Sequence, residues 1–196
     1  MLLVVVLVTL AVLRPWNLFD RLPFVSPTTA LTVNSLKGKA EVYLDGRKVG
    51  ETPFSSEQLS PGDYDLEIRR ISNDSDFYQP IQKTIHCELG TRTFVEAEVG
   101  PSMQFSSLKL VYYRKSSSPE ASLYISTTPS STRALIDNTS FGDTPVTTNS
   151  ITPGRHTVTI EKEGYEPEET TVIAREGFTL IVEMNLMTIP IDLIQQ

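Results

Sequence analysis

The sequence predicts an all-β protein: two small antiparallel β-sandwich domains in tandem, behind an N-terminal hydrophobic anchor. Three observations carry that expectation. Residues 31–70 align with 123–162 without a gap at an offset of 92, as in a duplicated unit. Within each copy apolar and polar residues alternate at period two, interrupted at short intervals by Asp-Gly, Gly-x-Thr-Pro and Pro-Gly turn signals, which is how short strands joined by tight turns read. Between Thr28 and Leu186 no stretch carries helical periodicity of useful length.

Composition narrows the field. A chain of 196 residues suits one large or two small domains. The net charge is −7 and there is no basic run, so the clustered Lys and Arg that a phosphate backbone requires are lacking and nucleic acid is not an expected partner. Cys87 is the only cysteine. An internal disulfide and a Cys-rich zinc site are therefore excluded, and the core must be held by burial alone.

The first element is the apolar run MLLVVVLVTLAVL. As a helix it measures about 20 Å against a hydrocarbon core of about 30 Å. No basic region precedes it and no A-x-A cleavage pattern follows. Trp16 and Phe19 come next, rings suited to a membrane interface. Residues 1–27 are read as an uncleaved hydrophobic membrane anchor with a Pro-rich spacer.

The first β domain is assigned to 28–100 and the second to 121–190, with a 191–196 tail. Asp45-Gly46 and its counterpart Asp137-Asn138 tolerate positive φ and suit a tight hairpin. Pro61-Gly62 and Pro153-Gly154 read as type II turns, with proline presetting φ and glycine supplying the positive φ that follows. In the strands after them Tyr64, Leu66 and Ile68 face inward in copy one, and His156, Val158 and Ile160 in copy two. His156 thus stands where copy one has a tyrosine, which argues for a rim position on the inner face and against a catalytic role. After Arg70 the offset falls to 87, because copy one carries five extra residues around ISNDS. Each unit is expected to close with a hairpin. In copy two Val172 and Ala174 face inward with Leu180, Val182 and Met184, across the loop Arg175-Glu176-Gly177, whose glycine takes the left-handed position. Cys87 matches Ala174, a small inward position, and reads as a buried, inert thiol. His86 matches Ile173 and faces outward. Residues 101–120 have no counterpart in the repeat and form a linker in which LKLVYY is able to make an extra strand and KSSSPE a loop.

These residues resemble the PEGA domain, a small β-rich module of bacterial and archaeal surface proteins. Both copies carry its run: a strand, a YLDG-like hairpin, VGxTP, the L-x-PG-x-Y/H turn and strand, then GYEP and a closing β-hairpin. Copy two matches best, with FGDTP, ITPGRHTVTI and EKEGYEPEETTV, whereas copy one departs at RRISNDSDFYQP. The resemblance implies an Ig/transthyretin-like sandwich, an extracytoplasmic and often membrane-anchored setting with S-layer or envelope association, and neither catalytic residues nor a cofactor. Its motifs are turn and core residues, which specify fold more than function.

Candidate sites divide accordingly. Glu161, Glu163, Glu166, Glu168 and Glu169 surround a turn and read as a solvated face rather than an acid/base pair. Asp74 and Asp76 lack the glycine and distant glutamate of a calcium loop. Asn73 and Asn138 open glycosylation sequons, triplets common by chance. Tyr112 and Tyr113 offer an aromatic platform for sugar, although neighbours in a strand point to opposite faces. Phe94 and Ile181 occupy matching outward positions where polar residues are expected, so they pack between the units, beneath the linker, or against a partner. The leading expectation is a non-enzymatic, membrane-anchored envelope protein whose modules serve as a spacer or adhesion arm. The alternative is a module that binds cell-wall glycan or an envelope protein, and an enzyme ranks third. Because copy two already places alanine at the matching position, Cys87→Ala is expected to lower the melting temperature only slightly and to leave function intact. Loss of a binding or catalytic activity in that variant would restore a site at this position.

Overall fold

The computed structural model describes residues 28–74 and 77–189. The proposed anchor and spacer, Asp76 of the acidic pair and the tail lie outside these residues. Among the described residues no helix is long and apolar enough to cross a membrane.

Copy one supplies β1 (Thr29–Ser35), β2 (Ala40–Leu44), β3 (Arg47–Glu51), β4 (Phe54–Leu59), β5 (Gly62–Arg70), β6 (Ile81–Cys87) and β7 (Arg92–Glu98). The connector holds a 3-10 turn at Met103–Phe105 and β8 (Ser107–Lys115). Copy two supplies β9 (Ser122–Thr128), β10 (Arg133–Ile136), β11 (Thr139–Asp143), β12 (Val146–Thr148), β13 (Gly154–Glu161), β14 (Glu168–Ala174) and β15 (Phe178–Asn185). Each copy packs a four-stranded sheet, β3-β2-β5-β6 or β11-β10-β13-β14, on a three-stranded layer, β4-β1-β7 or β12-β9-β15. The all-β, two-copy fold is as the repeat predicts. The three-stranded layers are mixed, however: β1 runs parallel to β7 and β9 parallel to β15.

The copies are not separate bodies. β8 pairs antiparallel with β7 on one side and with β15 on the other, which merges the two layers into one seven-stranded sheet, β12-β9-β15-β8-β7-β1-β4. Since β7 and β15 run the same way on either side of β8, the copies are related by an approximate two-fold rotation along the strand direction. Their four-stranded sheets consequently cover opposite faces. The alternation of β8 follows from this: Leu108, Leu110 and Tyr112 pack into the core of copy one with Val42, Ile68 and Val95, while Val111 and Tyr113 pack on the core of copy two with Leu123, Val158 and Val182.

The turn motifs show why they recur. Asp45 and Gly46 have φ of 50° and 74°, and Asp137 and Asn138 49° and 64°, the positive pair of a two-residue hairpin. Each aspartate also ties its hairpin to the neighbouring strand. Asp45 Oδ1 accepts the Asp65 N–H at 2.9 Å and Asp137 Oδ1 the Thr157 N–H at 2.9 Å. The Thr of Gly-x-Thr-Pro is buried in both copies. Thr52 Oγ1 accepts the Ala40 N–H and Thr144 Oγ1 the Thr132 N–H, each satisfying a donor that would be costly to bury unpaired.

Two expectations need correction. Pro61-Gly62 and Pro153-Gly154 do not form type II turns. Gly62 and Gly154 lie at φ of 150° and 137°, far more extended than the value of about +80° that type II needs, because each already begins a strand, pairing with Cys87 and Ala174. Nor do the closing strands form a hairpin. Gly90 and Gly177 are left-handed as expected, at φ of 74° and 73°, but β6 stays with β5 and β14 with β13 while β7 and β15 cross to the opposite sheet. Inward alternation is the same for a hairpin and for a crossing between facing sheets, so periodicity does not separate them.

Gly62→Val and Gly154→Val are each expected to destabilise by about 1–3 kcal/mol, the scale of strain at such backbone conformations, measured as a lower midpoint of thermal or urea unfolding. An unchanged midpoint in both variants would contradict the conformation described.

Candidate functional site

Half-buried charges and aromatic rings gather at the seam that β8 makes between the copies. Phe94 stands opposite Val111 and Ile181 opposite Tyr112, so the two matching outward positions flank the shared strand. Ile181 and Tyr112 are 8% and 7% exposed, and Phe94 and Tyr113 are half-buried. These four residues therefore do not form the outward contact surface or sugar platform considered from sequence. They are the apolar seam, and Ile181 of copy two sits in the core of copy one.

Polar ties cross the same seam. Tyr112 donates to Glu183 Oε1 at 2.9 Å, and Lys83 of β6 meets the other oxygen of that carboxylate at 2.5 Å. Burial and then Glu183 push the Tyr112 hydroxyl up to about 12. On the other face Lys109 reaches Glu168 at 2.8 Å and Glu96 at 3.2 Å. Burial alone would lower the Lys109 ammonium, but Glu168 and Glu96 outweigh it and hold the ammonium above its ordinary value. Arg175 donates to the Gly90 carbonyl at 3.1 Å, and Asn185 to the Ser106 carbonyl at 2.9 Å. Gly100 admits the connector's 3-10 turn: a Cβ there would meet the Phe105 carbonyl oxygen at 1.9 Å.

Lys83, Lys109 and Glu183 were not singled out by sequence reasoning, because their partners are distant in the chain, and Glu168, read there as part of a solvated acidic face, is instead drawn into the seam by Lys109. One signal was available. Glu96 and Glu183 are matching positions in the repeat, two residues beyond Phe94 and Ile181, and both point at the seam.

Between the copies, where β6 overhangs β8 and β15, a cleft of about 290 Å³ opens. Ile81, Leu108 and Met103 give it an apolar lining, and Gln82, Lys83, Ser126, Thr128, Glu183 and Asn185 a polar one. A second, more polar hollow of about 410 Å³ on the outer face borders Gln82, Lys83 and Thr84.

Both ring nitrogens of each histidine have polar partners within the protein. His86 is more enclosed than its outward position implied, with side-chain exposure of 17%. Its Nδ1 lies 2.6 Å from Asp63 and its Nε2 3.4 Å from Glu88. His156 is buried at the rim of copy two, with Nδ1 2.7 Å from Asp137 Oδ2 and Nε2 2.7 Å from the Thr152 carbonyl. Tyr64 solves the same problem in copy one by donating to the Ser60 carbonyl at 2.8 Å. Cys87 is fully buried, and burial pushes its thiol up.

Fold and seam together define a protein made of two copies of a small β-sandwich module fused through a shared strand. The family model of the PEGA domain matches twice, over residues 28–99 and 120–189. That is more than half of the chain, which belongs to the PEGA domain family. The two matches leave β8 between them. No curated protein matches the sequence.

The pairing of His156 has a pH consequence. Burial alone would lower its pKa, but the Thr152 carbonyl and the Asp137 carboxylate outweigh it and raise the imidazolium above 6.5. A raised folded-state value contributes stability that is complete below the unfolded pKa of about 6.5 and is lost as pH rises through the folded value. Urea midpoints are thus expected to fall from about pH 6.5 upward, and His156→Tyr, which installs the residue of copy one, to fold and to flatten that slope. A slope unchanged in this variant would assign the pH dependence elsewhere.

Proposed function

We propose that the chain is a non-enzymatic envelope protein, tethered by its N-terminal segment outside the cytoplasmic membrane, whose paired PEGA modules act as a structural adhesion element. The observation that carries this reading is the continuous seven-stranded sheet. A contact surface under load needs a body that does not flex between its parts, and a shared strand hydrogen-bonded on both edges supplies one. Of the two forms of the role, spacer and adhesion arm, the side-by-side packing favours adhesion. Two modules fused edge to edge extend only about one strand length, roughly 30 Å for a nine-residue strand, from the end where the chain enters β1. The internal engagement of both imidazoles and the burial of Cys87 support the non-enzymatic part.

A second reading, binding of cell-wall glycan or an envelope protein, is favoured by the mixed cleft between the modules. Retention of the protein by purified wall preparations would support the glycan form.

The tether is tested by expressing the chain, fractionating the cells and treating intact spheroplasts with protease. The body is expected in the membrane fraction and to be shaved away from outside. A body protected in spheroplasts, or found in the cytosol with an intact N-terminus, would overturn the proposal.

A further inference from the structure

The geometry points to a strand-accepting site on the edge of β6 that no strand of the described residues pairs with: an extended segment of a partner polypeptide adds beside Gln82–Thr84 as a fifth strand of the first four-stranded sheet, with an uncharged apolar side chain filling the cleft. This goes beyond the adhesion reading and does not depend on where the protein is tethered.

The argument starts from backbone direction. The Asp45 N–H donates to the Asp65 carbonyl, and the Asp65 N–H donates to Asp45 Oδ1. The odd-numbered residues of β5 therefore face β2 and the even-numbered ones face β6. Leu66 pairs with Lys83 and Ile68 with Ile81, so Ile81, Lys83 and Ile85 spend their backbone groups on β5. Gln82, Thr84 and His86 turn theirs outward, along the last strand of the sheet.

The second copy serves as an internal comparison. By the same logic, from the Asp137 N–H donating to the Thr157 carbonyl, residues Glu169, Thr171 and Ile173 of β14 face outward. There β8 closes the edge: Lys109 Nζ donates to the Glu169 carbonyl at 3.4 Å and the Tyr113 hydroxyl to the Ile173 carbonyl at 2.7 Å. Gln82 and His86 are the counterparts of Glu169 and Ile173. The His86 carbonyl accepts the Thr93 hydroxyl at 2.6 Å, whereas the edge at Gln82 borders the 290 Å³ cleft. That volume is at the low end of ligand pockets, about 300–1,000 Å³.

The chemistry of the occupant follows. A strand laid beside β6 satisfies outward N–H and C=O groups and sends alternate side chains to opposite faces. Inward ones enter a cleft floored by Leu108 and Ile81. The charges at its wall, Lys83 and Glu183, already neutralise one another, so the inward position calls for an apolar residue. Outward ones lie over the polar hollow beside Gln82 and Thr84. The partner segment is therefore extended, alternating and uncharged on its inward side.

The test uses the full chain in detergent micelles and a panel of fluorescein-labelled hexapeptides alternating Thr with Val, Leu or Phe. At least one is expected to bind saturably and to slow deuterium uptake in Ile81–Cys87. Gln82→Pro removes an outward N–H while sparing the ladder to β5, as proline does on edge strands. It is expected to raise Kd about tenfold or more, while Gln82→Ala does not. Should the proline variant fail to fold, Met103→Glu, at a half-exposed rim position, is expected to weaken binding similarly. The proposal is overturned if no peptide saturates by about 1 mM, if Kd is unchanged in Gln82→Pro and Met103→Glu, or if protection appears at β4 or β12 instead. Protection of Ile81–Cys87 that rises with protein concentration in the absence of peptide would assign the edge to a second copy and overturn it as well.

Discussion

The architecture depends on the period-two geometry of one strand. β8 is hydrogen-bonded along both edges and, because successive residues of a strand point to opposite faces, it sends Leu110 and Tyr112 to one core and Val111 and Tyr113 to the other. Burying a large apolar side chain contributes about 1.5–3 kcal/mol. Several such residues in one strand, divided between two cores, couple the stabilities of the modules more tightly than any linker could. Gly100 and the 3-10 turn aim the chain into that slot.

Charge at the seam follows from the same arrangement. Residues that would face water in a lone module, Glu96, Glu183 and Lys109, are covered here by the opposite four-stranded sheet and must bring partners with them. Removing one member of such a pair leaves a half-buried charge without its partner. These ion pairs therefore fix how the copies register on each other more than they add to net stability.

Much of the fold was legible in the sequence because repeats and turns are local. The Asp45-Gly46 and Asp137-Asn138 hairpins, the inward alternation of β5 and β13 and the left-handed Gly90 and Gly177 all follow from residue type and spacing. What was not legible is what depends on which sheet a strand joins. The crossing from β6 to β7 shares its alternation with a hairpin, and the extended φ of Gly62 and Gly154 comes from strand pairing rather than from the Pro-Gly dipeptide. The seam was half legible. Phe94 and Ile181 stood out as apolar residues on a polar face, and packing beneath the linker was among the readings, but Lys83 and Lys109 find their carboxylates only through tertiary structure. The repeat also placed His156 from the sequence, since a residue that alternates with tyrosine between copies sits at the rim, where it holds a turn carbonyl as Tyr64 does.

The shared strand also changes what counts as a unit of inheritance. A module that closes its own sheet can be shuffled, duplicated or lost singly. Here, excising copy two would strip β15 from one edge of β8 and leave Val111 and Tyr113 facing water, while excising copy one would do the same to β7 and leave Leu110 and Tyr112 bare. The length of the connector is constrained likewise, because a one-residue slip within β8 would send each core the side chains meant for the other. The duplication that made this chain has thus become irreversible in physical terms, and the pair, not the domain, is the object on which later change must act.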